Sequence, residues 1–163
     1  MIIYNALIGR SLKSVKIKDG KIEEVTDNVK SGDINAGGNR LIPGLIDVHT
    51  HGCIGMDTMD ADFEPMCKFY AEHGTTSFLP TTMTMGYDAL EKVTNTKTDF
   101  DGANILGFHF EGPYISPKHK GAQNEKYIKN PSVEDGGADI FLDSKRSRQI
   151  CTRKSELQLI FLI

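Results

Sequence analysis

Two histidines one residue apart, His49 and His51, close a short apolar run at Leu45–Val48, and Gly52 follows at once. If the run is a strand, both imidazoles point to one face, because strand side chains alternate with a period of two. A second cluster, His109-Phe110-Glu111-Gly112-Pro113-Tyr114, comes some sixty residues later and ends another apolar run, Ile105–Phe110. The fold must therefore bring two distant strand ends together if the carboxylate of Glu111 is to meet the two imidazoles.

The residues between the clusters say how. Phe63, Met66, Cys67, Tyr70 and Ala71 recur at helical spacing, which predicts an amphipathic helix. Asp60 or Asp62 is placed to cap its start, and Gly74 to end it. Thr75–Leu79 is β-branched and apolar, so it reads as a strand, and residues 87–97 read as a weaker helix carrying Leu90 and Val93. The middle of the chain is thus β-α-β-α-β, the grammar of a parallel sheet with right-handed crossovers. Both clusters fall at C-terminal strand ends, where active sites lie in βα barrels and open α/β sheets.

Before this region, residues 1–40 read as short strands. Ser14–Lys18 and Lys21–Val25 flank Asp19-Gly20, a hairpin turn signal, and Gly32, Gly37 and Gly38 mark a loop. After it, residues 113–135 are a polar loop with a short helix expected around Asn124–Lys129. The segment 136–163 is atypical: it carries KRSRQICTRK and ends LQLIFLI, the kind of sequence that out-of-frame translation yields.

A 163-residue chain with 39% apolar residues and a net charge of −3 is a globular composition and not that of a nucleic-acid binder. No apolar run approaches the roughly 18 residues of a membrane span. The start, MIIYNALIGR, lacks a basic region and a cleavage site, so no signal peptide is expected. Cys53, Cys67 and Cys151 show no metal spacing, which points to reduced thiols in the cytoplasm. Cys67 falls on the apolar helix face, and Cys53 has no partner for nucleophilic catalysis.

His49, His51 and Glu111 form a candidate metal site. A hydrolytic metal needs a few protein ligands and an open position, and it lowers the pKa of water toward about 7. Neutral imidazoles with a carboxylate suit Zn, Fe or Co. The plainer alternative is polar residues at strand ends. The Pro-Gly before the first run and the Gly-Pro after Glu111 favour ligands. His109 and Asp47 share the strand face of their neighbours and read as supporting residues or as plainly structural ones. Lys118, His119 and Lys120 precede Gly121-Ala122-Gln123-Asn124, a turn suited to an anionic substrate or simply to solvent. His73, near a helix end, reads as structural.

LIPGLIDVHTHG at 41–52 resembles the first-strand motif of the amidohydrolase superfamily. HFEGPYISPKHKGAQN at 109–124 closely resembles the metal and substrate segment of the N-acetylglucosamine-6-phosphate deacetylases. The resemblance covers residues 1–135. It implies an α/β fold, the start of a (β/α)8 barrel over 43–135, preceded by part of a small β-sandwich domain at 1–42. It implies hydrolysis of N-acetylglucosamine 6-phosphate to glucosamine 6-phosphate and acetate, one or two divalent ions (Zn or Fe), and a homodimer. Carried over by position, Glu111 matches the principal metal ligand and His49 and His51 a second-metal pair. Ala122 and Gln123 match substrate-contacting positions. The family's catalytic Asp and two further metal-binding His have no match: no His follows His119, and Asp135, Asp139 and Asp143 lack the family context. The resemblance thus implies a truncated, inactive chain. Two alternatives stand beside it: a marginally folded, non-catalytic fragment, and another amidohydrolase of dihydroorotase-like or dipeptidase-like kind.

Overall fold

The computed structural model describes residues 1–130. The expectations for the 136–163 tail and for Asp135, Asp139 and Asp143 lie outside the described residues. The chain divides into two compact units, the first Met1–Leu45 and the second starting at Ile46.

The first unit is one four-stranded sheet. Strands β1 (Ile2–Ile8), β2 (Ser11–Lys18) and β3 (Lys21–Asp27) run antiparallel in sequence, and β4 (Ile34–Asn35) adds to β1 in parallel. The β2–β3 turn is the expected one. Asp19 and Gly20 take φ of 51° and 74°, the pair of positive angles that a type I′ turn demands. Ile3, Ala6, Val15, Ala36 and Leu41 form its core.

The second unit carries the alternating elements: β5 (Leu45–Thr50), a tight hairpin of β6 (Gly52–Cys53) and β7 (Met56–Asp57), α1 (Glu64–Glu72), β8 (Thr75–Thr82), α2 (Tyr87–Thr94), and the short strands β9 (Asn104–Ile105) and β10 (His109–Phe110). β8 is central, with β5 on one side and β9 and β10, both parallel to it, on the other. Its core is Phe63, Met66, Cys67, Tyr70, Phe78, Val93 and Ala103. The helical spacing read from the sequence therefore is the buried face of α1, Cys67 included. Burial pushes the Cys67 thiol up to about 11, so it is an inert core residue. His73 closes the C-terminus of α1, its Nδ1 2.7 Å from the Phe69 carbonyl.

Three expectations need correction. Neither Asp60 nor Asp62 caps α1. Phe63 holds the cap position without a side-chain bond, and Asp60 instead accepts the Asp57 N–H in a capping box around the turn Thr58–Asp60. β8 does not stop at Leu79 but runs through Pro80 to Thr82. The run Ile105–Phe110 is not one strand. Ser77 pairs with Asn104 and Phe78 with Ile105, yet Thr81 pairs with His109 and Thr82 with Phe110. Three residues, Leu106–Phe108, therefore oppose two, Leu79 and Pro80. Pro80 has no N–H to offer a ladder and Gly107 weakens a strand, so the extra residue is absorbed there.

β5 presents its apolar side chains to solvent. Its apolar residues Leu45, Ile46 and Val48 are 54%, 61% and 62% exposed, so in this chain the run does not form a buried strand. Among the described residues no helix is long and apolar enough to cross a membrane.

Candidate metal centre

The end of β5 is pinned from below. Thr50, between the two histidines, is buried; its N–H donates to Thr81 Oγ1 at 3.1 Å and its hydroxyl meets the Tyr70 hydroxyl at 2.5 Å. With Thr50 turned in, His49 and His51 turn out to the same side. Asp47 Oδ1 accepts the main-chain N–H of His49 at 3.0 Å, which stiffens the strand just before the pair.

Glu111 follows β10 directly and reaches the same place. Its Oε2 lies 2.8 Å from His51 Nε2 and 3.3 Å from His49 Nε2, and the two ring nitrogens are 3.3 Å apart. Among the described residues this trio is the group of His, Cys, Asp or Glu side chains with the proximity to hold an ion. Donor atoms around a tetrahedral ion at about 2.0–2.1 Å lie about 3.3–3.4 Å from one another; both separations from His49 match this, and the His51–Glu111 pair is closer. The chemistry of the donors fits as well. His51 Nδ1 lies 3.0 Å from the Thr81 carbonyl, which can only accept. Nδ1 must therefore carry the proton, leaving Nε2 of neutral His51 as a lone pair facing a carboxylate oxygen. Such a contact is repulsive unless a proton or a cation lies between the atoms. The site is open to solvent: the His49 side chain is 50% exposed and that of Glu111 32%.

Burial opposes the charge on Glu111, but the polar surroundings of Gln123 and the two imidazoles outweigh it and hold the carboxyl below its usual range. Glu111 is thereby kept anionic. Its backbone is fixed too. The Thr84 hydroxyl donates to the Glu111 carbonyl at 2.6 Å, and Gly112 has φ of 100°. A Cβ at Gly112 would sit 2.1 Å from Thr84 Oγ1, so only glycine fits beside Glu111.

His109 stays outside the trio. Its Nδ1 is 3.2 Å from Thr81 Oγ1 and its ring centroid 4.9 Å from that of His49. Burial and the His49 ring lower its pKa, which favours the neutral imidazole. Gln123 is buried; its Oε1 accepts the Thr84 N–H at 2.7 Å, and its amide lies 3.8 Å from the Met83 sulfur. Ala122 beside it is exposed, as are Lys118 and His119, and Lys120 Nζ donates to the Gln123 carbonyl at 3.1 Å. Sequence reasoning passed over Thr81 and Thr84. Their one signal was the threonine-rich continuation of β8 past Pro80.

The sequence profile of the Amidohydrolase family matches residues 40–151. An N-acetylglucosamine-6-phosphate deacetylase of Bacillus subtilis is 42% identical over 149 residues, covering 82% of this chain and 36% of the relative. The enzyme of the same name from Lysinibacillus sphaericus is 38% identical over 131 residues, covering 74% of this chain and 34% of the relative. Among solved structures, the N-acetylglucosamine-6-phosphate deacetylase of Thermotoga maritima superposes with a TM-score of 0.66 at 35% identity, over 82% of this chain and 38% of that one. The chain spans about a third of the length of the curated relatives it matches.

Proposed function

The chain belongs to the amidohydrolase family, and from that premise we propose that it is the metal-holding part of an N-acetylglucosamine-6-phosphate deacetylase. The reaction is hydrolysis of the acetamide to give acetate and glucosamine 6-phosphate, a step of amino sugar breakdown. The observation that carries this reading is the convergence of His49, His51 and Glu111, with the His51 proton committed to the Thr81 carbonyl. The sugar phosphate is taken from the names of the relatives, one of which, from Escherichia coli O157:H7, is a deacetylase of the galactosamine counterpart. Dihydroorotase-like and dipeptidase-like readings find no support among these relatives.

In this reading His49, His51 and Glu111 are the ligands of one or two divalent ions, zinc or iron. A bound ion would polarise the acetamide carbonyl and make water a better nucleophile. Thr84, itself held by Gln123, holds Glu111 in place; Asp47 and His109 support the histidines, and Ala122 and Gln123 meet the sugar. The described residues from 43 on belong to the first units of a (β/α)8 barrel and 1–42 to part of a small β domain. The homodimer rests on the family resemblance alone, and the cytoplasmic setting on the cysteine pattern.

Hydrolysis also moves a proton from water to the leaving amine. Among the described residues Glu111 is the one carboxylate in the trio, and it is a ligand. The trio is therefore read as the metal-holding part of the reaction, with this proton carried by a group outside its three donors. Equilibrium dialysis of the purified chain against zinc is expected to give bound metal that His51→Ala and Glu111→Gln lose. Residues 1–130 joined to the remainder of the Bacillus subtilis relative are expected to release acetate from N-acetylglucosamine 6-phosphate, and Glu111→Gln to abolish the release. A chain that takes up no zinc, or a chimera that folds but leaves this sugar phosphate intact, sinks the reading.

A further inference from the structure

We propose that Thr81 is a positioning residue that sets the tautomer of two imidazoles at once. It directs His51 through its carbonyl and His109 through its hydroxyl, so that each ring carries its proton on Nδ1 and presents Nε2 as a lone pair. The inference deepens the metal-holding reading and rests on it for its consequences, though not for its geometry.

Hydrogen-bonding capacity decides where the protons sit. A threonine hydroxyl has one proton to give and two lone pairs to accept with. Thr81 is fully buried, so no bulk water shares the load. Three groups lie against its Oγ1: the Leu79 carbonyl at 3.3 Å, the Thr50 N–H at 3.1 Å and His109 Nδ1 at 3.2 Å. A carbonyl can only accept and an amide N–H can only donate. The Thr81 proton therefore goes to Leu79 and one lone pair to Thr50. All three contacts are satisfied only when His109 Nδ1–H donates to the second lone pair. The Thr81 carbonyl meanwhile takes the Nδ1 proton of His51 at 3.0 Å. The same hydroxyl, by holding the Thr50 N–H, anchors the peptide between His49 and His51. One residue of β8 thus fixes the proton on two rings and the peptide N–H of Thr50.

Thr82, its neighbour, supplies the control. It is equally buried, but its hydroxyl has no hydrogen-bond partner, so Thr82→Val removes nothing the site uses.

The test uses the full 163-residue chain, labelled with ¹⁵N-histidine, and two readouts. Long-range ¹H–¹⁵N spectra of the metal-free protein are expected to show His109 protonated at Nδ1. Thr81→Ser and Thr82→Val should keep that pattern, and the nearly isosteric Thr81→Val should lose it. Cobalt binding, followed by its visible absorption, should weaken about 10–100-fold in Thr81→Val and stay within about threefold of the parent in Thr81→Ser. Wild-type His109 found with its proton on Nε2 overturns the proposal even if Thr81→Val does not fold. So does a folded Thr81→Val that keeps both the tautomer and the cobalt affinity. A chain that takes up no cobalt while His109 shows the expected tautomer refutes the metal-holding reading and leaves this one standing.

Discussion

At Glu111 a single glycine decides where a carboxylate points. Gly112 sits at a φ that side chains rarely adopt, and a methyl group there would overlap Thr84 Oγ1. Thr84 cannot withdraw cheaply, since its hydroxyl holds the Glu111 carbonyl and its N–H is held by Gln123. Gly112→Ala must therefore shift Glu111 as well as strain the backbone. The expected cost is about 1–3 kcal/mol of stability, with zinc affinity falling about 10–100-fold; denaturant melts and zinc titration check the two halves. Thr82 makes the opposite case. Its orphan buried hydroxyl costs free energy and returns none, so Thr82→Val is expected to raise stability by about 1 kcal/mol in urea unfolding. Two adjacent threonines with the same exposure thus differ in the sign of their substitution, because one hydroxyl is fully engaged and the other is not.

At the level of elements, the site depends on the one extra residue between β9 and β10. Without it, the Ser77–Asn104 register would carry on and set His109 against Thr82 instead of Thr81. A shift of one residue turns every side chain of a strand to the other face. Deletion of Gly107 is accordingly expected to keep the helical circular dichroism of α1 and α2 while abolishing zinc uptake; retained uptake would show that the loop, not the register, aims Glu111. This feature was not legible in the sequence. The helices and the start of β8 were, because apolar spacing and β-branching are local signals that burial then rewards. The end of β8 was hidden by Pro80, which argues against a strand when read alone. The capping of α1 was misread because Asp60 had a nearer donor at Asp57. The convergence of His49, His51 and Glu111 could be read from chemistry, since imidazole pairs and a carboxylate at strand ends have few other uses. Thr81 and Thr84 could not, since a threonine in a β-branched run looks like a strand former and nothing more.

For the molecule as a whole, the three donor atoms all belong to the second unit, and they come from segments sixty residues apart. An ion that binds them ties β5 to the end of β10 across β8, and it can bind only when all three are in place. Metal binding is then folding free energy for that unit. At a zinc concentration one hundred times the dissociation constant the gain is about 2.7 kcal/mol, close to a hundredfold in the opening equilibrium. The first unit has its own core of Ile3, Ala6, Val15, Ala36 and Leu41 and contributes no donor to the trio. Zinc is therefore expected to slow amide exchange about a hundredfold through β5, β8 and β10 while leaving β1–β3 unchanged, and a chelator to reverse the effect. Exchange followed by mass spectrometry resolves the two units separately. Equal protection of both would mean that the chain unfolds as one cooperative body, and protection of neither would mean that the trio does not hold the ion.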